Sequence, residues 1–208
     1  MAIVFDETNL LARMVGEADG ITPSELADAT PLAVKALAGV KELSSSGVIG
    51  FPDLPQHTVL AKEIQVYASA LKGTYDTVCL VGIGGSALGA WALDCAARGP
   101  HPVQGEYSAS KPRLVILDNV DPEFVQLALL SMKPKKTLVV VIAKSGATAE
   151  TVATFLIVRS WLIAGAGAKL AKSRIVVVTS EGRGDLKVMA TAEGYRTVHL
   201  PENVGGRF

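Results

Sequence analysis

Thr77-Val78-Cys79-Leu80-Val81-Gly82-Ile83-Gly84-Gly85-Ser86-Ala87-Leu88-Gly89 is the stretch from which the fold can be read. Its first five residues form an apolar run rich in β-branched side chains, the mark of a buried strand. The run stops at Gly82, and a helix-forming pattern begins near Ser86 and extends to about residue 97. Glycines in such a strand-to-helix turn carry no Cβ, so backbone N–H groups can approach a ligand closely. The helix N-terminus adds free donors and the positive end of its dipole. Gly85 and Ser86 therefore become candidate binding residues for a phosphate or a sugar hydroxyl. The loop is not a dinucleotide fingerprint. Gly82-x-Gly84 is followed by Ala87, Glu106 lies in a turn-like stretch, and Asp118 is too distant to serve the ribose. Nor is it a P-loop, since no Gly-Lys-Ser/Thr follows.

Outward from this loop, β-rich runs alternate with helical stretches. The further strands fall at 114–117, 137–142, 174–178 and 195–200, with helices at about 86–97, 121–132, 148–165 and 184–193. Asp121-Pro122-Glu123 opens a helix with a capping side chain, a first-turn proline and an early acid. This alternation predicts an α/β fold, a five-stranded parallel sheet covered by helices on both faces in a three-layer α-β-α sandwich. Before it, residues 1–73 form a helical arm. Ser24 is read as the cap of a short helix, and Pro31 as a first-turn residue of a second helix to about Leu43. Leu32, Ala36, Leu37 and Val40 would share a face of that second helix. A third helix runs from His57 to Lys72, with Gly73 at its end. The expected division is 1–73 for the arm and 74–208 for the sheet domain.

Composition narrows the function classes. Hydrophobic residues make up 49% of the 208 residues and charged ones 19%, enough for a core and too few charges for a disordered chain. Net charge is zero and there is no basic stripe, so nucleic acid is not an expected partner. An anion would have to be held by local donors rather than by a global field. Cys79 and Cys95 read as buried free thiols, and no metal-ligand cluster is visible. The acidic N-terminus lacks the features of a signal peptide. The apolar run at Val139–Ala143 is too short to span a bilayer, so no membrane association is expected. A cytoplasmic location follows as the expectation.

Two further segments carry chemistry. After the third strand comes Ala143-Lys144-Ser145-Gly146-Ala147-Thr148-Ala149-Glu150-Thr151. Its ammonium and two hydroxyls stand at a strand end before a helix. Ser145 or Thr148 could cap that helix, and these hydroxyls with the Lys144 ammonium could bind phosphate oxygens at the same time. Glu150 reads as a first-turn acid rather than a base. The last residues, Val204-Gly205-Gly206-Arg207-Phe208, offer Arg207 as a guanidinium for an anion or an enediolate. His57 and His101 have no visible Ser or Asp partner, and His199 near the last strand reads as structural.

The three segments, in this order, resemble successive motifs of the glucose-6-phosphate isomerase (phosphoglucose isomerase) family. The first two also resemble the general sugar isomerase domain, whose sheet is flavodoxin-like. The resemblance implies two such domains, a homodimer, no cofactor, and interconversion of glucose 6-phosphate and fructose 6-phosphate. It places phosphate on Ser145 and Thr148 with Lys144 beside them, and Gly85 and Ser86 along the sugar phosphate. Arg207 would steady the enediolate. The chain has Ala143 where family members commonly have serine, and Ala90 where they often have proline. In the family the carboxylate base and the ring-opening histidine come from later in the chain. This chain is therefore expected to be a piece of a longer isomerase, with 201–208 leading into a second domain, able to bind phosphosugars but not to turn them over. The alternatives are a phosphosugar-sensing domain without catalysis, an isomerase of another phosphosugar, and a nucleotide-binding domain.

Overall fold

The computed structural model describes Val4 and residues 6–98, 112–182 and 184–206. The chain divides into two compact units, Met1–Pro52 and Asp53–Phe208. In the sequence, the change of texture comes later, near residue 74.

The first unit contains a short helix α1 (Ala12–Val15) and a long helix α2 (Pro23–Ser45). The helix expected to be capped at Ser24 and the one expected to begin at Pro31 are one continuous helix. Its N-cap is Thr22, whose Oγ1 accepts from the Glu25 amide at 3.2 Å. The Glu25 carboxylate returns the bond to the Thr22 amide at 2.9 Å, completing a capping box. Pro31 lies inside α2 and removes one ladder donor. Thr30 just before it turns its hydroxyl back to the Leu26 carbonyl at 2.7 Å. Leu32, Leu37 and Val40 are exposed, so the apolar stripe of α2 covers no core here.

The second unit opens with α3 (Thr58–Ala70), shorter than the expected helix at both ends. Five strands follow: β1 (Thr77–Val81), β2 (Arg113–Leu117), β3 (Thr137–Ile142), β4 (Ile175–Ser180) and β5 (Arg196–Leu200). Between them lie α4 (Gly85–Arg98), α5 (Pro122–Leu130), α6 (Ala149–Ala166), α7 (Ala168–Lys172) and α8 (Asp185–Glu193). All pairings are parallel, in the order β2-β1-β3-β4-β5. This is the flavodoxin-like order, and the sheet is flanked by helices as the strand–helix alternation predicts.

The element starts follow local chemistry. The Asp121 carboxylate caps α5 through the Phe124 amide at 2.8 Å. Gly167 ends α6 at φ +82°, where a side chain would be strained. α7 is a short helix that follows directly on Gly167 and that the sequence pattern does not predict. β4 continues past its apolar run to take in Thr179 and Ser180.

The main core lies on one face of the sheet. Cys79, Val81, Val139, Val141 and Val177 meet Phe155, Val158 and Leu162 of α6 and Leu186 of α8, all fully buried. Phe155 packs edge-on to Tyr195, with centroids 6.3 Å apart. The Tyr195 hydroxyl then accepts from Arg159 Nε at 2.7 Å, and Arg159 pairs with Glu193. α6 is long and apolar enough to cross a bilayer by length and composition. Its buried face, from Thr151 through Phe155 to Leu162, instead supports the sheet. Both cysteines are free, but Cys95, expected to be buried, is only half-buried. Cys79 is buried, and burial pushes its thiol up to about 12.

Phe155→Ala is expected to cost about 3–5 kcal/mol, read from denaturant unfolding, because it empties a fully buried aromatic site. Cys79 sets a pH dependence. Between the thiol's ordinary range and pH of about 12 the unfolded chain releases this proton and the native chain keeps it. Stability therefore falls as pH rises through that window, by up to about 1.4 kcal/mol per pH unit from this group. The fall should be shallower in Cys79→Ala, compared by unfolding at pH 8 and above.

Candidate functional site

β1 and β3 are neighbours, so the loops that leave their carboxyl ends stand side by side. The register pairs Val81 with Val141. Gly82 follows the first strand and Ala143 the second by one residue each beyond Val81 and Ile142. In an open α/β sheet this junction, where the chain order reverses, is where ligands bind.

The β1–α4 loop is built close to the sheet. The Gly82 amide donates to the Leu117 carbonyl at 3.2 Å. A Cβ at Gly82 would come within 3.0 Å of the Ile142 carbonyl and of Ser86 Cβ, so only glycine fits without displacement. Gly84 takes φ +58° and turns the chain into α4, its carbonyl accepting from Ala87 and Leu88 at 3.0 Å. Gly85 opens that helix, and a Cβ there would overlap the backbone of Gly206. The Gly205-Gly206 segment thus lies directly on the first glycine loop. Arg207 itself lies outside the described residues.

The β3–α6 loop carries the hydroxyls. Ser145 is exposed and Lys144 and Thr148 are half-buried. Thr148 is the N-cap residue of α6, yet its hydroxyl makes no capping bond. It sits 3.5 Å from Ser145 Oγ instead. The Ser145 hydroxyl accepts from the Ala147 amide at 3.3 Å. Two hydroxyls therefore stand together at a helix N-terminus without closing it, beside the ammonium-bearing Lys144. Such a start offers donors to several oxygens of one anion. Glu150 occupies the exposed first turn of α6, as expected of a residue that complements the helix dipole. His57 stands at the start of α3, and His199 on β5 approaches Lys187 at 3.5 Å. His101 lies outside the described residues.

The structure brings Gly85, Ser86, Lys144, Ser145 and Thr148 to adjacent ends of β1 and β3. Sequence reasoning missed the residues behind them. Thr179 and Ser180 at the end of β4 both donate to the Lys144 carbonyl, at 3.2 and 2.8 Å. Gly184 packs on Ser145 and Gly146, and a Cβ there would overlap the Ser145 carbonyl. The available signal was a polar pair closing an otherwise apolar strand. A cavity of about 600 Å³ lies elsewhere, lined by Val59, Lys62, Tyr67 and Arg196. Its walls mix aliphatic, aromatic and charged side chains, and it touches none of these loops. Among the described residues no group of three His, Cys, Asp or Glu side chains could hold a metal.

The family model described as phosphoglucose isomerase matches residues 61–208. A glucose-6-phosphate isomerase of Thermus thermophilus is 38% identical over 161 residues, 77% of this chain and 36% of its own length. One from Rubrobacter xylanophilus is 35% identical over 210 residues, 99% of this chain and 46% of its own. The chain thus spans less than half the length of these curated relatives. Among solved structures, a hypothetical protein from Thermus thermophilus superposes with a TM-score of 0.77 at 34% identity, covering 89% of this chain and 42% of that one. A glucose-6-phosphate isomerase from Chlamydia trachomatis gives 0.60 at 28% identity, over 72% of this chain and 27% of that one.

The contact between Gly85 and Gly206 can be tested by a single methyl group. Gly85→Ala is expected to push the Gly205-Gly206 backbone off the loop, seen as shifted Gly205 and Gly206 amide resonances with the sheet amides unmoved. Gly89→Ala, whose Cβ would meet nothing within 4 Å, is the control. It should leave those resonances in place and stabilise α4 by about 0.5–1 kcal/mol.

Proposed function

This chain belongs to the phosphoglucose isomerase family, and from that premise we propose that it forms the phosphosugar-holding part of a glucose-6-phosphate isomerase. The observation that carries the reading is the convergence of three segments on one place. The hydroxyl-bearing start of α6 and the glycine turn into α4 leave adjacent strands, and the Gly205-Gly206 backbone lies on that turn.

In this reading the phosphate of glucose 6-phosphate or fructose 6-phosphate is held by Ser145 Oγ, Thr148 Oγ1 and the free amides at the α6 start. Charge-assisted hydrogen bonds from hydroxyls and amides to phosphate are stronger than neutral ones. Lys144 adds a cation beside them. Gly85 and Ser86 run along the sugar. Ala143 supplies no hydroxyl, so the phosphate rests on two side-chain hydroxyls in this loop. Aldose–ketose isomerisation opens the ring and moves a proton between C1 and C2 through a cis-enediolate. Negative charge then develops on O1 or O2, and in this reading the Arg207 guanidinium steadies it. The carboxylate base and the ring-opening histidine are proposed to lie in the part of the relatives that this chain does not match. Glu150 completes the dipole of α6 and is not assigned as the base. No cofactor enters this chemistry. We further propose that the complete enzyme is a cytoplasmic homodimer. The free thiols of Cys79 and Cys95 suit a reducing compartment.

Calorimetric titration of the 208-residue chain should show binding of glucose 6-phosphate and of fructose 6-phosphate, and none of NAD. Ser145→Ala combined with Thr148→Val should weaken the affinity at least about tenfold, the effect of losing hydrogen bonds to a charged group. A coupled assay on the same chain should show no turnover above the blank. Binding of NAD alone, or equal affinity in the double variant, would overturn the reading.

A further inference from the structure

We propose that the end of β4 and the residues flanking the β4–α8 loop, which belong to none of the three motifs, are the positioning element of the site: Thr179 and Ser180 set the turn that carries Lys144 and Ser145, and Glu202 ties the chain leading to Gly205-Gly206 to Gly182 just after the strand. The proposal rests on the phosphosugar reading for its consequence, and on geometry for its substance.

The Lys144 carbonyl is the centre of the arrangement. A carbonyl oxygen has two lone pairs, yet this one faces three donors: the Ser180 amide at 3.1 Å, Ser180 Oγ at 2.8 Å and Thr179 Oγ1 at 3.2 Å. Both hydroxyl-bearing residues are buried, Thr179 at 1% and Ser180 at 7% exposure. A buried hydroxyl needs a partner, and theirs is this carbonyl. The next two residues of the turn are held from the same side. The Leu186 amide donates to the Gly146 carbonyl at 2.9 Å. Gly184 lies so close to Ser145 and Gly146 that no side chain could stand there. Gly146, at φ +66°, is fixed between Gly184 and Thr179. The turn therefore has little freedom on its sheet side, while Ser145 and Thr148 remain open on the other.

The same loop reaches the third segment. Glu202 Oε1 accepts from the Gly182 amide at 3.1 Å. From Glu202 the chain passes through a turn closed by Val204 onto Pro201 and reaches Gly206 on Gly85. Residues on both flanks of the β4–α8 loop, 179–182 and 184–186, thus contact both the turn at 144–146 and, through Glu202, the chain that leads to Gly205-Gly206. Removing the two hydroxyls leaves the Ser180 amide on the Lys144 carbonyl. The loss is therefore of orientation at the turn, not of a satisfied buried group.

The test uses Thr179→Val/Ser180→Ala, Ser180→Thr and Glu202→Ala in the 208-residue chain. In the free chain, amide resonances of Lys144 to Thr148 should shift in the double variant and hold in Ser180→Thr, which keeps the hydroxyl. Affinity for glucose 6-phosphate should fall about 5- to 20-fold in the double variant, the effect of one or two lost hydrogen bonds, and recover in Ser180→Thr. Glu202→Ala, changed at an exposed side chain, should shift the Gly182, Gly205 and Gly206 amides and leave 144–148 in place. Unmoved 144–148 amides in the double variant, or an affinity in Ser180→Thr as weak as in the double variant, overturn the proposal. A double variant that does not fold shifts the decision to Glu202→Ala, where unmoved Gly205 and Gly206 amides overturn it. If the parent chain binds no glucose 6-phosphate, the phosphosugar reading fails and the amide shifts alone decide the positioning role.

Discussion

The hydrogen-bonded pairing of β1 with β3 is the constraint from which the site follows. These strands are adjacent in the sheet although β2 lies between them in the chain. Parallel pairing puts both carboxyl ends on the same edge, and the register fixes how far each loop stands above it. With the next helices starting only a few residues later, both helix N-termini lie at that edge. A neutral chain thereby gathers partial positive charge where it is needed. With no net charge on the chain, the local groups carry the attraction: oriented backbone amides, two hydroxyls and the Lys144 ammonium.

The core serves this geometry from beneath. Cys79, Val81, Val139 and Val141 alternate onto the face covered by α6, and Phe155, Val158 and Leu162 fill the space against them without exposure. Loops at the top of such a sheet can stay open to ligand because their anchoring strands are buried on that face. The second anchor is polar. Thr151 and Thr154 on α6, and Thr179 and Ser180 at the end of β4, are buried hydroxyl-bearing residues close to the loops, where an all-aliphatic core gives way to a hydrogen-bonded rim.

Much of this was legible in the residues. Thr77–Val81 and Thr137–Ile142 could be placed to the residue because continuous β-branched runs ended at glycine or at polar segments. Asp121-Pro122-Glu123 announced its helix because each residue has its own reason to stand at a helix start. The segments at 82–89, 143–151 and 204–208 carried the family resemblance. What stayed hidden was hidden for physical reasons. Pro31 reads as a boundary, but the Thr22–Glu25 capping box upstream and the Thr30 hydroxyl support a helix that runs through it. Leu32, Leu37 and Val40 have helical spacing whether or not anything covers them. The role of Thr179 and Ser180 depends on which strand neighbours β3, and strand order is not written in local pattern. The same holds for Gly184, whose missing side chain matters only because Ser145 is beside it.

The backbone contact between Gly85 and Gly206 joins residues about 120 positions apart. Contacts of such separation pay a large loop-closure entropy and add to contact order, so they tend to form after local ones. During synthesis the glycine turn and the start of α6 would leave the ribosome and meet in the sheet while the segment that covers them was still unmade. The open edge would exist first without the backbone that lies on Gly85, exposed to solvent. Arrival of residues 201–206 would then convert it into a walled site late in folding. Assembly of the binding place would in this way report that the sheet beneath it had already closed through β5.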